Sequence, residues 1–525
     1  MIRAGYSLRN YTEGGQNFWT YASNFGAFFF QQGGLNFTSS PGLGNVAPGT
    51  LFLGDQFPPY FLNPPSYATV NPEAVATFNR GIQGMNPNIQ QPYVESWNVG
   101  IQRQLGQNNV ISVSYVGNAA KHIWMATNLN EINIFENGFL SQFKNAQTNL
   151  AINEKAGLGG TFANAGLRGE QPVPLFDAAF GSPNAPDFGF FTTTLQQGQA
   201  ASLANDIAGN SFYFCNLVGS ANFSPCATQG FNNGNGAGYP INFFQVNPYA
   251  TGTTLEYLDG SGFSNYNALQ IDFHQRPTHG MEFDLNYTYA RALGIASELN
   301  ISGFGLQGGG NSSYYTLRNP RLNYGPTQFD IHHVVHVSGT YDLPFGSGRH
   351  FFHNSGLANR VIGGWTVGTI ITFQSGIPFM LNGGTSTVTG ADSGIVLSGI
   401  TASQLQNSVG VYPTGNPWID YFNPKLISSS GPASTQYLNY EITPGEWGQH
   451  IWLYGPMFFN TDLSISKRIP IHESFALTLQ GEFLNAFNHP NWGSGDTGIQ
   501  DFGFGTTGGP ANGPRVIQIR ANLNF

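Results

Sequence analysis

The stretch from Arg515 to Phe525 reads RVIQIRANLNF, and its apolar and polar residues alternate. The apolar positions are Ile517, Ile519, Ala521, Leu523 and Phe525, and the polar positions are Gln518, Arg520, Asn522 and Asn524. Because successive side chains of a β-strand point to opposite faces, the alternation predicts a strand with one apolar and one polar face. A sheet packed on a soluble core and a membrane barrel both show this pattern.

The same alternation recurs along the chain and predicts nine further strands. In the first segment the apolar residues are even-numbered, and in the others they are mostly odd-numbered. The segments are residues 2–8, 97–101, 111–115, 269–273, 281–289, 335–341, 365–373, 459–465 and 475–483. Short links join several of them as antiparallel hairpins, such as RPTHG at residues 276–280. We therefore expect at least ten antiparallel strands.

The composition favours a membrane barrel over a soluble sheet protein. Only 9% of the residues are charged, against roughly 25% in soluble domains, while 14% are aromatic. The 69 Gly and 31 Pro leave little room for long helices, so we expect an all-β chain with long irregular connections. The net charge of −9 with 19 Lys and Arg, and the absence of a basic block, exclude nucleic acid as a partner.

The lengths of the predicted links alternate, which supports the barrel independently of hydropathy. Long links lie near residues 11–93, 125–265, 292–331, 381–458 and 489–514, and short links lie near residues 106–108, 276–280, 346–361 and 470–474. No apolar run reaches the roughly 18 residues of a membrane helix, so only a closed barrel could span a bilayer. Outer-membrane barrels have short periplasmic turns and long extracellular loops. We therefore predict an antiparallel transmembrane outer-membrane β-barrel with long extracellular loops and a periplasmic C-terminus.

Both ends of the chain carry further information. A final strand that alternates and finishes on Phe525 resembles the signal that the barrel assembly machinery recognises, which assigns Ile517, Ile519, Ala521, Leu523 and Phe525 to that signal. At the other end, Met1 is followed by an alternating segment and not by a signal peptide. We therefore expect the chain to be a fragment that opens inside a strand, and we expect it not to form a sealed, transport-competent pore alone.

Several segments resemble the Oar-like β-barrel of TonB-dependent outer-membrane receptors. They are NPNIQQPYVESWNVGIQRQL, SYVGNAAKHIW, SNYNALQIDF, QFDIHHVVHVSGTYDLPFG, GGWTVGTIITFQSGIPF and GEFLNAFNHPNW. The likeness runs from about residue 86 to the closing GPRVIQI. The resemblance implies that residues 1–525 are the C-terminal portion of a barrel of about 22 strands. The plug, its TonB box and an N-terminal carboxypeptidase-regulatory-like domain would be absent, and the TonB energy-transducing complex would act through the missing plug.

The only two cysteines, Cys215 and Cys226, lie in the longest predicted link. Ten residues separate them, and a pair outside the cytoplasm can close such a loop with a stabilisation of roughly 3 kcal/mol. A metal site would need further ligands that this segment lacks. We therefore predict a disulfide between them.

Candidate chemistry on the predicted strands is weak. His332 and His336 would share a helical face as zinc ligands do, but the alternation around them predicts a strand, with His332 and His336 towards the lumen and His333 towards lipid. The Glu of an HExxH motif is missing. Asp272, Glu282 and Asp284 could form an acid pair, although inward carboxylates of a barrel usually supply lumen polarity. Without a phosphate loop, nucleophile elbow or CxxC, we expect no enzyme, no metal and no cofactor.

Two functional classes remain open from the sequence. In the first, the loops of a transport receptor capture a bulky extracellular ligand, which passes inward with inner-membrane energy. In the second, a surface binding or adhesion barrel uses its loops alone. The loops are rich in neutral Asn, Gln, Tyr and Trp, which suits an oligosaccharide or a peptide at least as well as a metal chelate. The run at Phe25 to Phe30 is either a sugar-stacking platform or part of an aromatic girdle or loop core.

Overall fold

A computed structural model describes residues 1–10, 82–250, 255–295, 314–352, 357–415, 418–472, 475–493 and 495–524. The strands in chain order are β1 (Ile2–Asn10), β2 (Ile82–Met85), β3 (Tyr93–Leu105), β4 (Asn109–Asn128), β5 (Leu255–Thr278), β6 (Met281–Gly294), β7 (Gly325–Pro326), β8 (His333–Asp342), β9 (Trp365–Gln374), β10 (Pro378–Met380), β11 (Ile395–Leu397), β12 (Val409–Pro413), β13 (Ile419–Phe422), β14 (Leu438–Tyr440), β15 (Trp452–Tyr454), β16 (Phe458–His472), β17 (Phe475–Leu484), β18 (Thr506–Thr507) and β19 (Val516–Asn524). The helices are α1 (Phe139–Lys155), α2 (Pro174–Phe180), α3 (Asp187–Phe190), α4 (Thr192–Gln196), α5 (Ala200–Gly209), α6 (Ser211–Val218), α7 (Ser224–Thr228), α8 (Leu357–Ile362) and α9 (Ala402–Gln406).

One large sheet contains all ten predicted strands, which confirms the antiparallel β-architecture. It has 12 strands, and its main path runs β1-β3-β4-β5-β6-β8-β9-β16-β17-β19. The ten strands of this path therefore lie side by side in the order in which they occur in the chain. Every pairing along this path is antiparallel. The short strands β2 and β7 pair with β5 and β6 off the path. Because the path is a meander, the long links leave from one rim of the sheet and the short links from the other.

The sheet is open in the part of the chain that the structure describes. Its two end strands, β1 and β19, pair with β3 and β17 and not with each other. An unpaired strand edge exposes backbone N–H and C=O groups, which lipid cannot satisfy. A membrane-spanning form of this sheet therefore needs further pairing at both edges.

The register places the predicted apolar and polar residues on opposite faces of the sheet. Leu479 lies opposite Ala521, and the next pair, Gln480 and Arg520, points the other way. Large apolar side chains on the apolar face are exposed, and Ile519 reaches 85% exposure. A soluble sheet would cover such a face with a core, whereas a transmembrane barrel turns it towards lipid.

The longest link is helical, so the expectation of long irregular connections is wrong there. Residues 129–250 form a compact unit, the helical subdomain, which contains α1 to α7 and an aromatic core. Its first helix, α1, has 17 residues and contains neither Gly nor Pro. The high overall Gly and Pro content concealed this local stretch. None of the helices in the described residues is long and apolar enough to cross a bilayer.

A second compact unit lies at the same rim. It is built from residues 377–454 of the β9–β16 link and residues 491–510 of the β17–β19 link, and we call it the β subdomain. Three small sheets form it, namely β10 with β15, β11 with β14, and β12 with β13 and β18. Its core contains Leu381, Phe422, Leu438 and Phe504, each at most 1% exposed. Two separate links thus fold together around one core.

Candidate functional site

A groove of about 560 Å³ follows the polar face of the large sheet across five strands, β6, β8, β9, β16 and β17. The side chains of its polar wall alternate along each strand, as the sequence pattern requires. Four of them are carboxylates, and the rest are small hydroxyls and an amide. These residues are Glu282, Asp284, Ser338, Thr340, Asp462, Ser464, Gln480 and Glu482. No Lys or Arg lines the groove, so the wall is acidic.

Hydrogen bonds fix three of these carboxylates. Asp284 Oδ1 lies 2.5 Å from Nδ1 of His274, and Glu482 Oε1 accepts a hydrogen bond from Nε2 of Gln480 across 3.0 Å. Asp462 Oδ1 accepts hydrogen bonds from the backbone N–H of Asn485 at 2.8 Å and from the amide of Asn460 at 3.0 Å. The predicted acid Asp272 lies on the same face, between Ser112 and Asn286. Water-exposed carboxylates in such a row attract cationic groups by their field.

A second groove on the polar face has a different charge. It measures about 330 Å³ and lies across β1, β3, β4 and β5. Its lining is mostly neutral and includes Asn98, Gln102, Ser114 and Gln270, with Arg3 as its single charged residue. The two grooves of the polar face therefore differ in charge, since the first is acidic and the second is nearly neutral with one basic side chain.

Charged residues join the β6–β8 link to the helical subdomain above the long-loop rim. Arg318 donates two hydrogen bonds to Glu136, at 2.5 Å and 2.6 Å, and its guanidinium lies 4.9 Å from the ring centre of Phe135. The hydrogen bonds from Arg318 hold the pKa of Glu136 below its usual value. Glu131 accepts hydrogen bonds from the Thr316 hydroxyl at 2.6 Å and the Leu317 N–H at 2.8 Å. The β6–β8 link is thereby fastened to the helical subdomain.

The same link is also fastened to the β subdomain. The ring of Tyr315 stacks on His450 with 4.1 Å between ring centres, and Thr389 donates a hydrogen bond to the Tyr315 carbonyl across 2.8 Å. Burial raises the pKa of Tyr315 to about 12. The helical subdomain touches the β subdomain directly, because the Ala201 and Ser202 N–H groups both donate to the Ser386 carbonyl. Three long connections thus form one assembly at this rim.

A buried charged cluster connects this assembly to the large sheet. Asp330 is fully buried, and its Oδ1 accepts a hydrogen bond from the Ala292 N–H across 2.6 Å. Its Oδ2 accepts one from the Tyr454 hydroxyl at 2.6 Å and lies 3.3 Å from His332 Nε2. Burial, together with the nearby Arg291, lowers the pKa of His332. No local sequence pattern points to Asp330 or Tyr454, because their contact joins residues 124 positions apart.

The three histidines of the DIHHVVH motif lie in different environments. The strand β8 begins at His333, so His332 belongs to the rim cluster and not to the predicted strand. His333 lies on the apolar face, where its Nδ1 is 2.9 Å from the Tyr287 hydroxyl. His336 lies on the polar face beside the hydroxyl of Thr372, at 3.2 Å. Within the described residues, no group of three or more His, Cys, Asp or Glu side chains is placed to hold a metal ion.

The predicted cysteine pair lies in the helical subdomain, and the described residues of the predicted terminal signal lie on β19. Cys215 and Cys226 are joined in a disulfide and fully buried in the helical subdomain. Ile517, Ile519, Ala521 and Leu523 share the apolar face of β19, where Leu523 lies opposite Leu477. Phe525 lies outside the described residues, as does the aromatic run at Phe25 to Phe30. A role of this strand in barrel assembly stays a prediction.

Solved outer-membrane proteins align with most of this chain at low similarity. The transporter YddB of Escherichia coli is 9% identical with a TM-score of 0.33, and the alignment covers 86% of this chain and 34% of YddB. The siderophore receptor PirA of Acinetobacter baumannii is 8% identical with a TM-score of 0.31, and the coverage is 84% and 33%. FpvA of P. aeruginosa, solved with a bound pyoverdine and iron, is 8% identical with a TM-score of 0.28, and the coverage is 83% and 28%. The chain thus spans about a third of the length of these proteins.

No curated protein sequence matches the chain. The family comparison, in contrast, covers nearly all of it: residues 1–518 match the profile described as outer membrane beta barrel domain. This match agrees with the meander of ten antiparallel strands and with the separation of apolar and polar faces, and it indicates the outer membrane as the location. The chain therefore belongs to the outer membrane β-barrel domain family.

Proposed function

We propose that this chain is the barrel portion of an outer-membrane receptor that binds a bulky extracellular ligand and takes part in its TonB-dependent uptake. The observation that carries the proposal is the assembly of three long connections at one rim, above a polar face with an acidic groove. Loops held by a rigid scaffold are the usual place for ligand recognition. The resemblance to the Oar-like β-barrel of TonB-dependent receptors supports the coupling to TonB.

In this role the barrel has a defined orientation and acts together with a plug domain. The long-loop rim is extracellular, and the short turns and the C-terminus are periplasmic, as in other outer-membrane barrels. Further strands complete the sheet at β1 and β19, and a plug domain with a TonB box supplies the contact with the energy-transducing complex. The barrel assembly machinery inserts the chain through β19. In this role the chain is a receptor and not an enzyme.

The chemistry of the ligand stays open among an oligosaccharide, a peptide and a metal chelate. A second candidate function, a surface binding or adhesion barrel without transport, is favoured by one observation. Both subdomains have cores of their own, so they can bind a partner without any passage through the barrel.

Uptake measurements in the native host distinguish these two functions. An in-frame deletion of the codons for residues 133–244 removes most of the helical subdomain and leaves the strands β4 and β5 in place. Cells with and without the deletion are offered a fluorescent maltooligosaccharide, a fluorescent peptide and a fluorescent ferric chelate, with and without a protonophore. Accumulation of one probe that needs both the subdomain and the proton gradient supports transport. Binding that needs the subdomain but does not change with the protonophore favours adhesion. If cells with and without the deletion do not differ for any probe, both functions are contradicted.

A further inference from the structure

The turn between β8 and β9 folds back over the apolar face of the large sheet. Lys467 lies on that face, directly opposite Trp365 and next to the pair formed by Ile465 and Val367. A lysine here would meet lipid, yet only 5% of Lys467 is exposed. Its Nζ donates hydrogen bonds to the carbonyl of Val361, at 3.0 Å, and to the carbonyl of Gly363. The backbone at the end of α8 therefore covers this lysine from the outside of the sheet.

A second residue of the apolar face holds the same backbone. The indole N–H of Trp365 donates a hydrogen bond to the Val361 carbonyl across 3.0 Å, and Lys467 Nζ lies 5.1 Å from the centre of the Trp365 ring. The last carbonyls of a helix lack partners within the helix and attract cations. The C-terminal end of α8 is thus fixed to the apolar face, at the rim where the short turns lie.

The outward side of this turn has the chemistry of a membrane interface. Val361 is 69% exposed and Phe352 is 65% exposed, while Arg360 beside Val361 is also exposed. Residues 343–364 contain two Arg, two His and no Asp or Glu. Arg349 pairs with Asp342 at the end of β8, at 2.9 Å, so Arg360 is the arginine of this link that lies beside the exposed Val361. Exposed apolar side chains next to basic ones are favourable where acyl chains meet phosphate groups.

We infer that α8 is an interfacial anchor that binds phospholipid headgroups at the rim of the short turns. The inference rests on the proposed membrane location and orientation, which make this the periplasmic leaflet. Two observations favour lipid as the occupant. The covered site is continuous with the apolar face of the sheet, and the exposed Arg360 gives α8 a positive charge that complements headgroup phosphates. Val361 enters the acyl boundary, Arg360 contacts phosphate, and Lys467 crosses the interface with its charge shared by the Val361 and Gly363 carbonyls.

Depth-dependent quenching tests the anchor in the full chain refolded into lipid vesicles. Three single-cysteine variants, Val361→Cys, Gln107→Cys and Leu479→Cys, carry an environment-sensitive fluorophore, and the native cysteines are left joined to each other. The quencher is a phospholipid spin-labelled near the carbonyl end of its acyl chain. Gln107 is the matched control, because it is exposed in the short β3–β4 turn at the same rim. Leu479 on the apolar face reports insertion of the sheet.

The expected result is strong quenching at positions 361 and 479 and weak quenching at position 107. If position 361 is quenched no more than position 107 while position 479 is quenched strongly, α8 does not lie in the interface and the inference is wrong, although the membrane placement stands. If position 479 is not quenched either, the membrane placement itself fails, and the inference fails with it.

The role of the positive charge has its own variant. In vesicles of phosphatidylcholine with added phosphatidylglycerol, the spin label is placed on phosphatidylglycerol alone. Arg360→Gln should lower the local enrichment of this lipid at position 361 by roughly fivefold, the effect of one basic residue at a membrane surface. Arg276→Gln, at an exposed position near the end of β5 at the same rim, should leave it unchanged. Equal effects of both substitutions, or none from Arg360→Gln, would contradict headgroup binding at α8.

Discussion

The hydroxyl of Tyr454 donates a hydrogen bond to Oδ2 of Asp330 across 2.6 Å. Asp330 is fully buried, and its other oxygen accepts a hydrogen bond from Ala292 at the end of β6. A single carboxylate therefore ties the large sheet to β15 of the β subdomain. Burial and the hydrogen bond to Asp330 raise the pKa of Tyr454 above its usual value, so the hydroxyl keeps its proton.

Replacing Tyr454 by Phe should weaken the attachment of the β subdomain. The substitution leaves a buried carboxylate oxygen without its strongest donor, which costs roughly 1–3 kcal/mol. Urea unfolding should show this loss, and hydrogen exchange at residues 452–454 should accelerate. Tyr440→Phe, in the same subdomain but away from Asp330, should change the free energy of unfolding by less than about 0.5 kcal/mol. Equal effects of the two substitutions would show that the contact with Asp330 is not what stabilises this junction.

The two faces of the large sheet should respond differently to charge. Leu285→Arg on β6 places a cation on the apolar face and should lower the free energy of unfolding by roughly 2–4 kcal/mol near the bilayer midplane, whereas Asn286→Arg, on the polar face, should be mild. Leu479 lies directly opposite Lys467 and thus nearer the rim of the short turns, so Leu479→Arg should cost less than Leu285→Arg. Gln480→Arg, one residue along the same strand, points into the acidic groove and should cost less still. Urea titration of the protein in lipid vesicles gives the four values. Similar losses on both faces would contradict the assignment of the apolar face to lipid.

Strand alternation predicted the large sheet well because the signal is local. At the pair of Leu479 and Ala521, and at most other pairs on the path, the two-residue period sets which side chains share a face. The exceptions are register shifts in the β4–β5, β5–β6 and β16–β17 pairings. Lys467 departs from the alternation of apolar and polar residues, because it lies on the apolar face. Its charge is stabilised by hydrogen bonds to backbone carbonyls at the end of α8, more than 100 positions away in the chain. No local pattern could reveal that contact.

The first helix of the helical subdomain could have been predicted from the spacing of its apolar residues. Phe139, Phe143, Ala146 and Leu150 follow a spacing of four, three and four, and all are buried on one side of α1. This spacing is the signature of an amphipathic helix. Whole-chain composition hid it, although α1 itself contains neither Gly nor Pro. The joint between the β6–β8 link and the helical subdomain had no such signal, since Arg318 and Glu136 are 182 positions apart.

The disulfide between Cys215 and Cys226 should stabilise the helical subdomain. Replacing both cysteines by Ser should lower its free energy of unfolding by roughly 3 kcal/mol, the value expected for closing a loop of this size. Protease cleavage within residues 129–250 should become faster than in the parent protein. Because both sulfurs are buried in the folded protein, labelling is measured in urea, where a maleimide should react with neither sulfur until a reductant is added. Ready labelling of the unfolded protein without a reductant would contradict an oxidised pair.

The joint between Arg318 and Glu136 should weaken in acid. The hydrogen bonds from Arg318 hold the pKa of Glu136 below its ordinary value of 4.5, so the unfolded chain takes up a proton at a higher pH than the folded joint does. The stabilisation is therefore complete above pH 4.5 and is lost as the pH falls through the lower folded pKa. Because both side chains are about half exposed, the stabilisation is only about 0.2–1 kcal/mol.

The free energy of unfolding is measured in urea at about pH 7 and about pH 3.5 for the parent and for Glu136→Gln, which has no proton to gain. The parent should be more stable than the variant near neutral pH and should lose that advantage in acid. An advantage of the same size at both pH values would show that the charge of Glu136 does not hold the joint.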